Sequence, residues 1–274
     1  MTETKTAIPK IIHYCWFGGN PLPELAKKCI VSWRKFLPDY EIKEWNEQNY
    51  DMRKIPYTAQ AYDAKKYAFV SDFARFDILY KYGGVYFDTD VEVIKSLDDI
   101  LERGAFAGVE RAGDASSLAA GLGIASPAAS PVYKEILDSY KESSFVKPDG
   151  SLDLTTVVTH ASNIFKRNGL KDMNEIQEVC GVTVYPAEYF CPKSLETGII
   201  NITKNTRTIH HYDGSWTSPA QQKFNNRRNY LISKFGKRTG YIFSLPFLIL
   251  WQIKDAGIKQ TLIKIKDKIF GHKK

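Results

Sequence analysis

The segment Tyr67–Ile94 reads YAFVSDFARFDILYKYGGVYFDTDVEVI, and the rest of the chain is organised around it. Its first half repeats apolar residues at helical spacing, and the two glycines at 83–84 can adopt the left-handed backbone that ends a helix. Its second half, residues 85–87, is a short apolar strand that runs directly into Asp88 and Asp90. The segment therefore predicts a helix, a tight stop and a buried strand that brings two carboxylates to the end of a sheet.

The Asp-x-Asp spacing has a chemical meaning. One short loop presents two hard oxygen ligands to Mg²⁺ or Mn²⁺, while water and substrate phosphates fill the other coordination positions. A solvated turn is the alternative, because a three-residue motif is short. On the preceding helix, Asp72 and Arg75 stand three residues apart and can pair on one face, which also fits an ordinary surface salt bridge.

Two patterns combine here, S-D-x-x-R at residues 71–75 and G-G-x-Y-x-D-x-D at residues 83–90. Together they resemble the signature of a family of retaining, metal-dependent glycosyltransferases. That family includes sugar transferases of capsular polysaccharide synthesis, yeast outer-chain mannosyltransferases and, more distantly, the glucosylating domain of large clostridial toxins. The resemblance implies an α/β fold of GT-A type, with a Rossmann-like, mostly parallel central sheet flanked by helices. It also implies Mn²⁺ or Mg²⁺ as cofactor and a nucleotide-diphosphate sugar, favouring a UDP-sugar, as donor.

The resemblance assigns roles to individual residues. Asp90 is expected to be the principal metal ligand, Asp88 to share metal and ribose contacts, and Asp72 with Arg75 to hold the sugar. Trp16 ends the opening segment IPKIIHYCWFGG and is expected to stack on the nucleotide base. Judged without the resemblance, Trp16 also fits a core position.

A second cluster lies in the segment TIHHYDGSW at residues 208–216. Adjacent histidines in an alternating strand face opposite sides, so only one of them can point at a given site. Because His211 stands three residues before Gly214, as in the H-x-x-G of related transferases, the resemblance favours His211 over His210 as a metal ligand.

The same resemblance extends to the end of this cluster. Gly214 is expected to approach the diphosphate with its amide. Ser215 and Trp216 match the S-W of the family, and they are expected to cap the diphosphate on the side opposite the Asp-x-Asp loop.

Other segments predict the surrounding architecture. Residues 10–17, 23–36 and 40–45 alternate strand, helix and strand, which predicts a parallel βαβ unit. The small-residue run at 118–125 is expected to face the donor sugar. Asp153 is a predicted N-cap of a helix that continues to Arg167. Residues 182–190, interrupted by Pro186, predict an edge strand or a loop.

The net charge of +7 is unevenly distributed. Residues 221–274 contain thirteen Lys or Arg and two Asp, a net charge of +11, which leaves −4 on residues 1–220. We therefore expect a transferase domain at 1–220 and a basic, amphipathic, helical extension at 221–274. The 13-residue, mostly apolar run at 241–253 is too short to span a bilayer and suits a helix lying in an anionic membrane surface. Packing of this run on the catalytic domain is the alternative.

The function that the resemblance implies is transfer of a hexose from a nucleotide sugar to a saccharide, in surface polysaccharide synthesis. The basic extension favours a lipid-linked acceptor and a cytoplasmic protein at the inner face of the membrane. Nucleic acid is not an expected partner, because no nucleic-acid-binding pattern accompanies the basic residues. Two alternatives stay open: a phosphohydrolase of the haloacid-dehalogenase type that uses Asp-x-Asp, and a non-catalytic nucleotide-sugar-binding protein.

Overall fold

A computed structural model describes residues 7–112, 115–195, 197–214 and 219–270. The helices are α1 (Glu24–Phe36), α2 (Pro56–Asp63), α3 (Tyr67–Tyr82), α4 (Asp98–Leu101), α5 (Pro131–Lys141), α6 (Val157–Arg167), α7 (Ala187–Phe190), α8 (Pro219–Phe235) and α9 (Lys237–Phe270). The strands are β1 (Ile11–Cys15), β2 (Glu41–Trp45), β3 (Gly84–Tyr86), β4 (Val91–Val93), β5 (Phe106–Ala112), β6 (Ala115–Leu118), β7 (Ile124–Ser126), β8 (Gln177–Val179), β9 (Val182–Tyr185) and β10 (Thr208–His210).

The described elements belong to two compact units. The first comprises Met1–Lys193 with Asn201–His211, and the second comprises Ser194–Ile200 with Tyr212–Lys274. The division of the chain into a transferase domain at 1–220 and an extension at 221–274 stays a prediction about domains.

The first unit is built on an eight-stranded sheet in the order β2-β1-β3-β7-β5-β9-β8, with β6 paired to β5. Strands β1, β2, β3, β5 and β9 run in one direction, and β6, β7 and β8 run against them. The expected α/β fold with a mostly parallel central sheet is confirmed, as is the parallel pair made by β1 and β2. A separate two-stranded sheet pairs β10 with β4 in antiparallel fashion.

Helices cover both faces of this sheet. Side chains alternate between the two faces along its central strands, so each face offers side chains for a helix to pack against. On one face Tyr14 and Phe87 pack against Trp33 of α1, with ring centroids 5.7 and 5.5 Å from that indole. On the other face Tyr86 lies beneath the guanidinium of Arg75 on α3, 5.0 Å from its carbon. Residues 85–87 are thus buried on both faces of the sheet, between α1 and α3.

The predicted stop after α3 is confirmed at Gly83, which has φ of 66°. A β-carbon at this position would lie 2.8 Å from the backbone nitrogen of Ala128 and 3.1 Å from the carbonyl oxygen of Ser126. Both the backbone conformation and the lack of space therefore require glycine. The turn redirects the chain from α3 into β3 at once.

Two predicted boundaries are wrong. Helix α6 begins at Val157 after Thr156, and the Asp153 carboxylate instead accepts hydrogen bonds from the backbone nitrogen and hydroxyl of Thr155 at 3.1 and 2.7 Å. Strand β9 is interior rather than at an edge, because the unpredicted strand β8 covers it. Pro186 lies just beyond β9, where its missing N–H costs the sheet no hydrogen bond.

The second unit contains the helices α8 and α9. Helix α9 begins at Lys237, and it contains Pro246 and a break at Gly257. The two helices approach closely, since a β-carbon on Gly240 would lie 2.4 Å from the Cα of Ile232. Within the part of the chain that the structure describes, we find no helix with the length and apolar character needed to cross a membrane.

His13 is a buried histidine on β1, with 1% of its surface exposed. The indole N–H of Trp45 donates to its Nδ1 at 3.1 Å, and its Nε2 lies 3.0 Å from the carbonyl oxygen of Gly83. Nδ1 therefore carries no hydrogen, and Nε2–H donates to the carbonyl. Burial lowers the pKa of His13 to about 4, opposed by the Gly83 hydrogen bond and assisted by Lys43.

We expect this histidine to make folding pH-dependent. Between pH 6.5 and 4 the unfolded chain binds a proton that the folded chain excludes, so the free energy of unfolding falls as the pH falls. The contribution is about 3 kcal/mol between pH 7 and pH 4. Urea unfolding at both pH values should show this much less pH dependence in His13→Gln than in the wild type. Equal pH dependence in the two proteins would contradict the neutral buried imidazole.

Candidate active site

A buried ion pair joins two residues of α3. The Nη2 of Arg75 donates to Oδ1 of Asp72 at 2.9 Å, and the backbone nitrogen of Val157 donates to Oδ2 of Asp72 at 3.2 Å. Val157 is the first residue of α6, so its amide has no partner within that helix. The predicted i, i+3 pair is therefore present, but it is buried instead of lying on the surface.

The same guanidinium also holds the first aspartate of the Asp-x-Asp motif. Arg75 Nη1 lies 3.3 Å from Oδ2 of Asp88, and Nη2 lies 3.3 Å from its Oδ1. The hydroxyl of Tyr86 donates to the same Oδ1 at 3.1 Å. Asp88 is thus fixed by a two-pronged ion pair and a phenol, and it leaves 30% of its side chain exposed.

The guanidinium of Arg75 pairs with two carboxylates, those of Asp72 and Asp88. Burial raises the pKa of Asp72 to about 6, which Arg75 opposes and Asp88 reinforces. The pair of aspartates therefore keeps an excess of negative charge over the single guanidinium, and a positively charged ligand beside Asp88 would be stabilised.

Gly121 packs directly against the carboxylate of Asp88. Its carbonyl oxygen accepts a hydrogen bond from the backbone nitrogen of Asp88 at 3.1 Å. A β-carbon at Gly121 would lie 2.0 Å from Oδ2 of Asp88, so any side chain would displace the carboxylate. The small-residue run at 118–125 thus contacts the Asp-x-Asp loop through Gly121. Its contact with a donor sugar stays a prediction.

The two histidines face opposite sides, as expected for a strand. Nε2 of His210 lies 3.2 Å from Oδ1 of Asp90, whereas Nε2 of His211 lies 2.8 Å from Oε2 of Glu92. The structure therefore brings His210 to the second aspartate, where the H-x-x-G spacing had favoured His211. The register of β10 against β4 determines this, because it sets His210 opposite Val91.

His210 lies in an acidic surrounding. Burial lowers the pKa of this imidazole, but the carboxylates of Asp90, Asp88 and Glu110 outweigh that effect and raise the pKa overall. Several carboxylates thus act on one imidazole at the end of β3.

Trp16 lies at the same edge of the sheet, because it follows β1 and β1 runs parallel to β3. Its indole is half-buried, and its N–H donates to the carbonyl oxygen of Asn20 at 2.6 Å. Ligands of open α/β sheets bind at the carboxyl ends of strands. Trp16 and the Asp-x-Asp loop therefore lie at the same edge of the sheet.

Three predicted residues, Gly214, Ser215 and Trp216, follow β10 in the sequence. Gly214 belongs to the second unit, where its carbonyl oxygen accepts a hydrogen bond from the side-chain amide of Gln222 at 2.9 Å. Ser215 and Trp216 lie outside the described residues. Their contacts with a diphosphate stay predictions.

The side chains near Asp88 suit a divalent cation. Among the described residues no three His, Cys, Asp or Glu side chains cluster closely enough to form an ion site by themselves. Asp88 and Asp90 nevertheless offer hard carboxylate oxygens in one loop, with the imidazole of His210 beside them. Such donors suit Mn²⁺ or Mg²⁺, whose other positions water and phosphate oxygens fill.

Two contributors were missed by sequence reasoning. Tyr86 stands within the quoted G-G-x-Y-x-D-x-D pattern, so the pattern itself could have identified it. The backbone nitrogen of Val157 carries no side-chain signal and lies 85 residues from Asp72. Only the folded chain reveals that contact.

Residues 23–107 match a family model described as glycosyltransferase sugar-binding region containing DXD motif. Inositol phosphoceramide mannosyltransferase 3 of Schizosaccharomyces pombe is 37% identical over 110 residues, which cover 36% of this chain and 29% of the relative. An uncharacterised glycosyltransferase of Acanthamoeba polyphaga mimivirus is 32% identical over 109 residues, covering 36% of this chain and 42% of the relative.

Among solved structures, PaToxG glycosyltransferase is similar with a TM-score of 0.45 and 20% identity, covering 60% of this chain and 69% of that one. The chain spans less than half the length of the two curated relatives above, 29% and 42%. The family match at residues 23–107 runs from α1 to the start of β5, and it contains Asp72, Arg75, Asp88 and Asp90.

We expect Arg75→Met to destabilise the first unit strongly. It leaves the buried Asp72 carboxylate without its cation, which typically costs about 3–5 kcal/mol. Urea unfolding should show this loss, and adding Asp72→Asn should recover part of it. Arg53→Met is the matched control, because Arg53 makes an equally direct but exposed pair with Asp63 and should change stability little. Similar midpoints for Arg75→Met and Arg53→Met would contradict the importance of the buried pair.

Proposed function

We propose that this chain is a retaining glycosyltransferase that moves a hexose from a nucleotide-diphosphate sugar to a saccharide acceptor. The observation that carries the proposal is the arrangement around Arg75, which fixes the first aspartate of the Asp-x-Asp motif at the carboxyl end of β3. This arrangement lies inside the region that matches the DXD sugar-binding model. Glycosyltransferases with this motif generally use a divalent metal and a nucleotide sugar.

The donor would bind along the edge that Trp16 and Asp88 share. In our proposal the half-buried indole of Trp16 stacks on the base, and a uridine nucleotide is preferred. The exposed part of Asp88 contacts the ribose and the metal, while Tyr86 and Arg75 keep its carboxylate from rotating. A carboxylate fixed before the donor arrives loses little conformational entropy on binding.

Asp90 and Asp88, with His210 in place of His211, are the residues that we propose to hold Mn²⁺ or Mg²⁺. A divalent ion there would offset the negative charge that grows on the departing diphosphate. His210 would orient Asp90, from which its Nε2 is 3.2 Å distant, or reach the ion itself. Asp72 acts through Arg75 in this proposal, because both of its oxygens accept hydrogen bonds inside the protein. A direct contact of Asp72 and Arg75 with the sugar stays a prediction.

The bond changes are those of a substitution at the anomeric carbon. The carbon–oxygen bond to the diphosphate breaks, and a bond to the acceptor oxygen forms on the same face of the sugar. In our proposal a departing phosphate oxygen takes the proton of the acceptor hydroxyl, so the protein contributes chiefly by positioning and charge stabilisation.

The acceptor that we propose is a saccharide carried on a lipid, in surface polysaccharide synthesis at the inner face of a membrane. Two observations support a lipid-borne acceptor. One is helix α9, which contains both an apolar run and basic residues, and the other is the name of the fission-yeast relative, which places that protein's own activity on inositol phosphoceramide.

The experiment that tests the function is a screen of nucleotide sugars for release of nucleoside diphosphate, with Mn²⁺ present or chelated. We expect turnover of a UDP-sugar in the presence of the metal, and we expect Trp16→Ala to raise KM for that donor while kcat changes little. Phosphate release from simple phosphomonoesters, with no turnover of any nucleotide sugar, would overturn the proposal in favour of a phosphohydrolase.

Asp90→Ala should abolish this turnover. Removing one ligand from a sparse metal shell should lower kcat/KM by about a hundredfold or more and leave the fold intact. Asp149→Ala is the control, since Asp149 lies in an exposed turn and accepts hydrogen bonds from the neighbouring Ser151. Circular dichroism should match among the three proteins. Wild-type rates in Asp90→Ala would remove the metal assignment.

The two neighbouring histidines allow a paired test. We expect His210→Ala to lower turnover and to raise the Mn²⁺ concentration that half-activates the enzyme, because His210 is the imidazole beside Asp90. His211→Ala should have the smaller effect on both quantities, since His211 contacts Glu92. The reverse ranking would restore His211 as the metal-site histidine.

A further inference from the structure

Helix α9 carries a continuous run of uncharged, mostly apolar residues at 241–253, YIFSLPFLILWQI. At 1.5 Å per residue this run is about 20 Å long, shorter than the roughly 30 Å hydrocarbon core of a bilayer. Lys237 and Arg238 precede the run, and Lys254 follows it. The run is therefore an apolar cylinder with a cationic group at each end.

One side of this cylinder is occupied by α8. Gly240 and Ser244 form the seam, where Ser244 is 1% exposed and Gly240 approaches Ile232. Farther along, Trp251 stacks on Phe224 at 5.6 Å between ring centroids. These three residues of α9 recur at intervals of four and seven, so they mark a single face of the helix.

The opposite side of α9 is exposed and apolar. Its large side chains keep between 37% and 58% of their surface exposed. They are Tyr241, Ile242, Leu245, Ile249 and Leu250, a set that we call the outer face of α9. An exposed patch of this size and composition is typical of an interaction site.

The charge beside the outer face is of one sign. Residues 219–254 contain seven basic residues and no aspartate or glutamate. The basic residues are Lys223, Arg227, Arg228, Lys234, Lys237, Arg238 and Lys254. A second copy of this chain would bring like charges together, whereas an anionic surface would be attracted.

We propose that the outer face of α9 docks in the plane of an anionic lipid bilayer. The apolar side chains enter the boundary between headgroups and acyl chains, and the flanking lysines and arginines contact lipid phosphates. This inference concerns α8 and α9 alone and stands without the proposed transferase activity. Its biological meaning, access to a lipid-linked acceptor, rests on that proposed function.

The test is flotation of the full chain with vesicles of phosphatidylcholine containing about 30% phosphatidylglycerol, a proportion chosen to give an anionic surface. We expect the wild type to float with these vesicles and not with pure phosphatidylcholine. Ile242→Asn with Leu250→Asn should lower the partition coefficient about a hundredfold, because each side chain withdrawn from an apolar phase forfeits about tenfold. Raising the salt should weaken wild-type binding by screening the cations.

The matched control is Val31→Asn with Ile176→Asn, two exposed apolar residues of the first unit, at 61% and 42% exposure. This control should float like the wild type. Equal flotation of the wild type and the Ile242→Asn, Leu250→Asn variant would overturn the proposal. Two results together would also overturn the proposal. The wild type would not float, and light scattering without lipid would show a dimer that the Ile242→Asn, Leu250→Asn variant converts to monomer.

Donor turnover distinguishes this inference from the proposed function. The α9 variant should keep wild-type release of nucleoside diphosphate with a soluble acceptor or water. Asp90→Ala should lose that release and float normally. Loss of flotation in Asp90→Ala would show that docking depends on the first unit, and it would overturn the assignment to α9.

Discussion

The first unit depends on one buried guanidinium. Arg75 is 3% exposed, and its nitrogens reach the carboxylates of Asp72 on its own helix and Asp88 at the end of β3. A charge this deeply buried is stable only if its hydrogen-bond donors find acceptors, so the helix, the strand and the following loop must adopt one relative position. Its Nε–H meets this requirement as well, by donating to the carbonyl oxygen of Ser71.

This constraint explains why the surroundings are built as they are. Gly83 allows α3 to turn directly into β3, which brings Arg75 and Asp88 within reach although thirteen residues separate them. Gly121 leaves room for the Asp88 carboxylate, and Tyr86 supplies both a ring beneath the guanidinium and a hydroxyl to Asp88. A carboxylate held rigidly at the edge of a sheet suits a bound cation, since binding then needs no rearrangement of the carboxylate.

The chain combines two kinds of electrostatics. In the first unit, acidic groups outnumber the single guanidinium that they share, which suits a bound cation. In α8 and the first half of α9, basic residues stand without acidic neighbours in the sequence, beside exposed apolar side chains. The first arrangement suits a small ligand recognised by geometry, and the second suits a broad anionic surface recognised by charge and apolar contact.

Adjacent residues were enough to predict α3, the stop at Gly83 and β3, and so to predict two carboxylates at the end of a buried strand. Helical spacing, the Gly83 stop and the apolar strand are local properties, so α3 and β3 could be predicted from neighbouring residues. The parallel β1 and β2 pair followed for the same reason, because a strand, helix and strand of these lengths admit few arrangements.

Contacts between residues that are far apart in the sequence became known only from the folded chain. The choice of His210 beside Asp90 depends on the register of β10 against β4, which no local pattern specifies. The hydrogen bond from the backbone nitrogen of Val157 to the Asp72 carboxylate depends on how α3 and α6 pack, and a backbone nitrogen carries no sequence signal. Strand β9 became interior because β8 pairs with it, a hydrogen-bonding choice made between segments. Local interactions are encoded in adjacent residues, whereas these contacts depend on the balance of burial and hydrogen bonding in the whole unit.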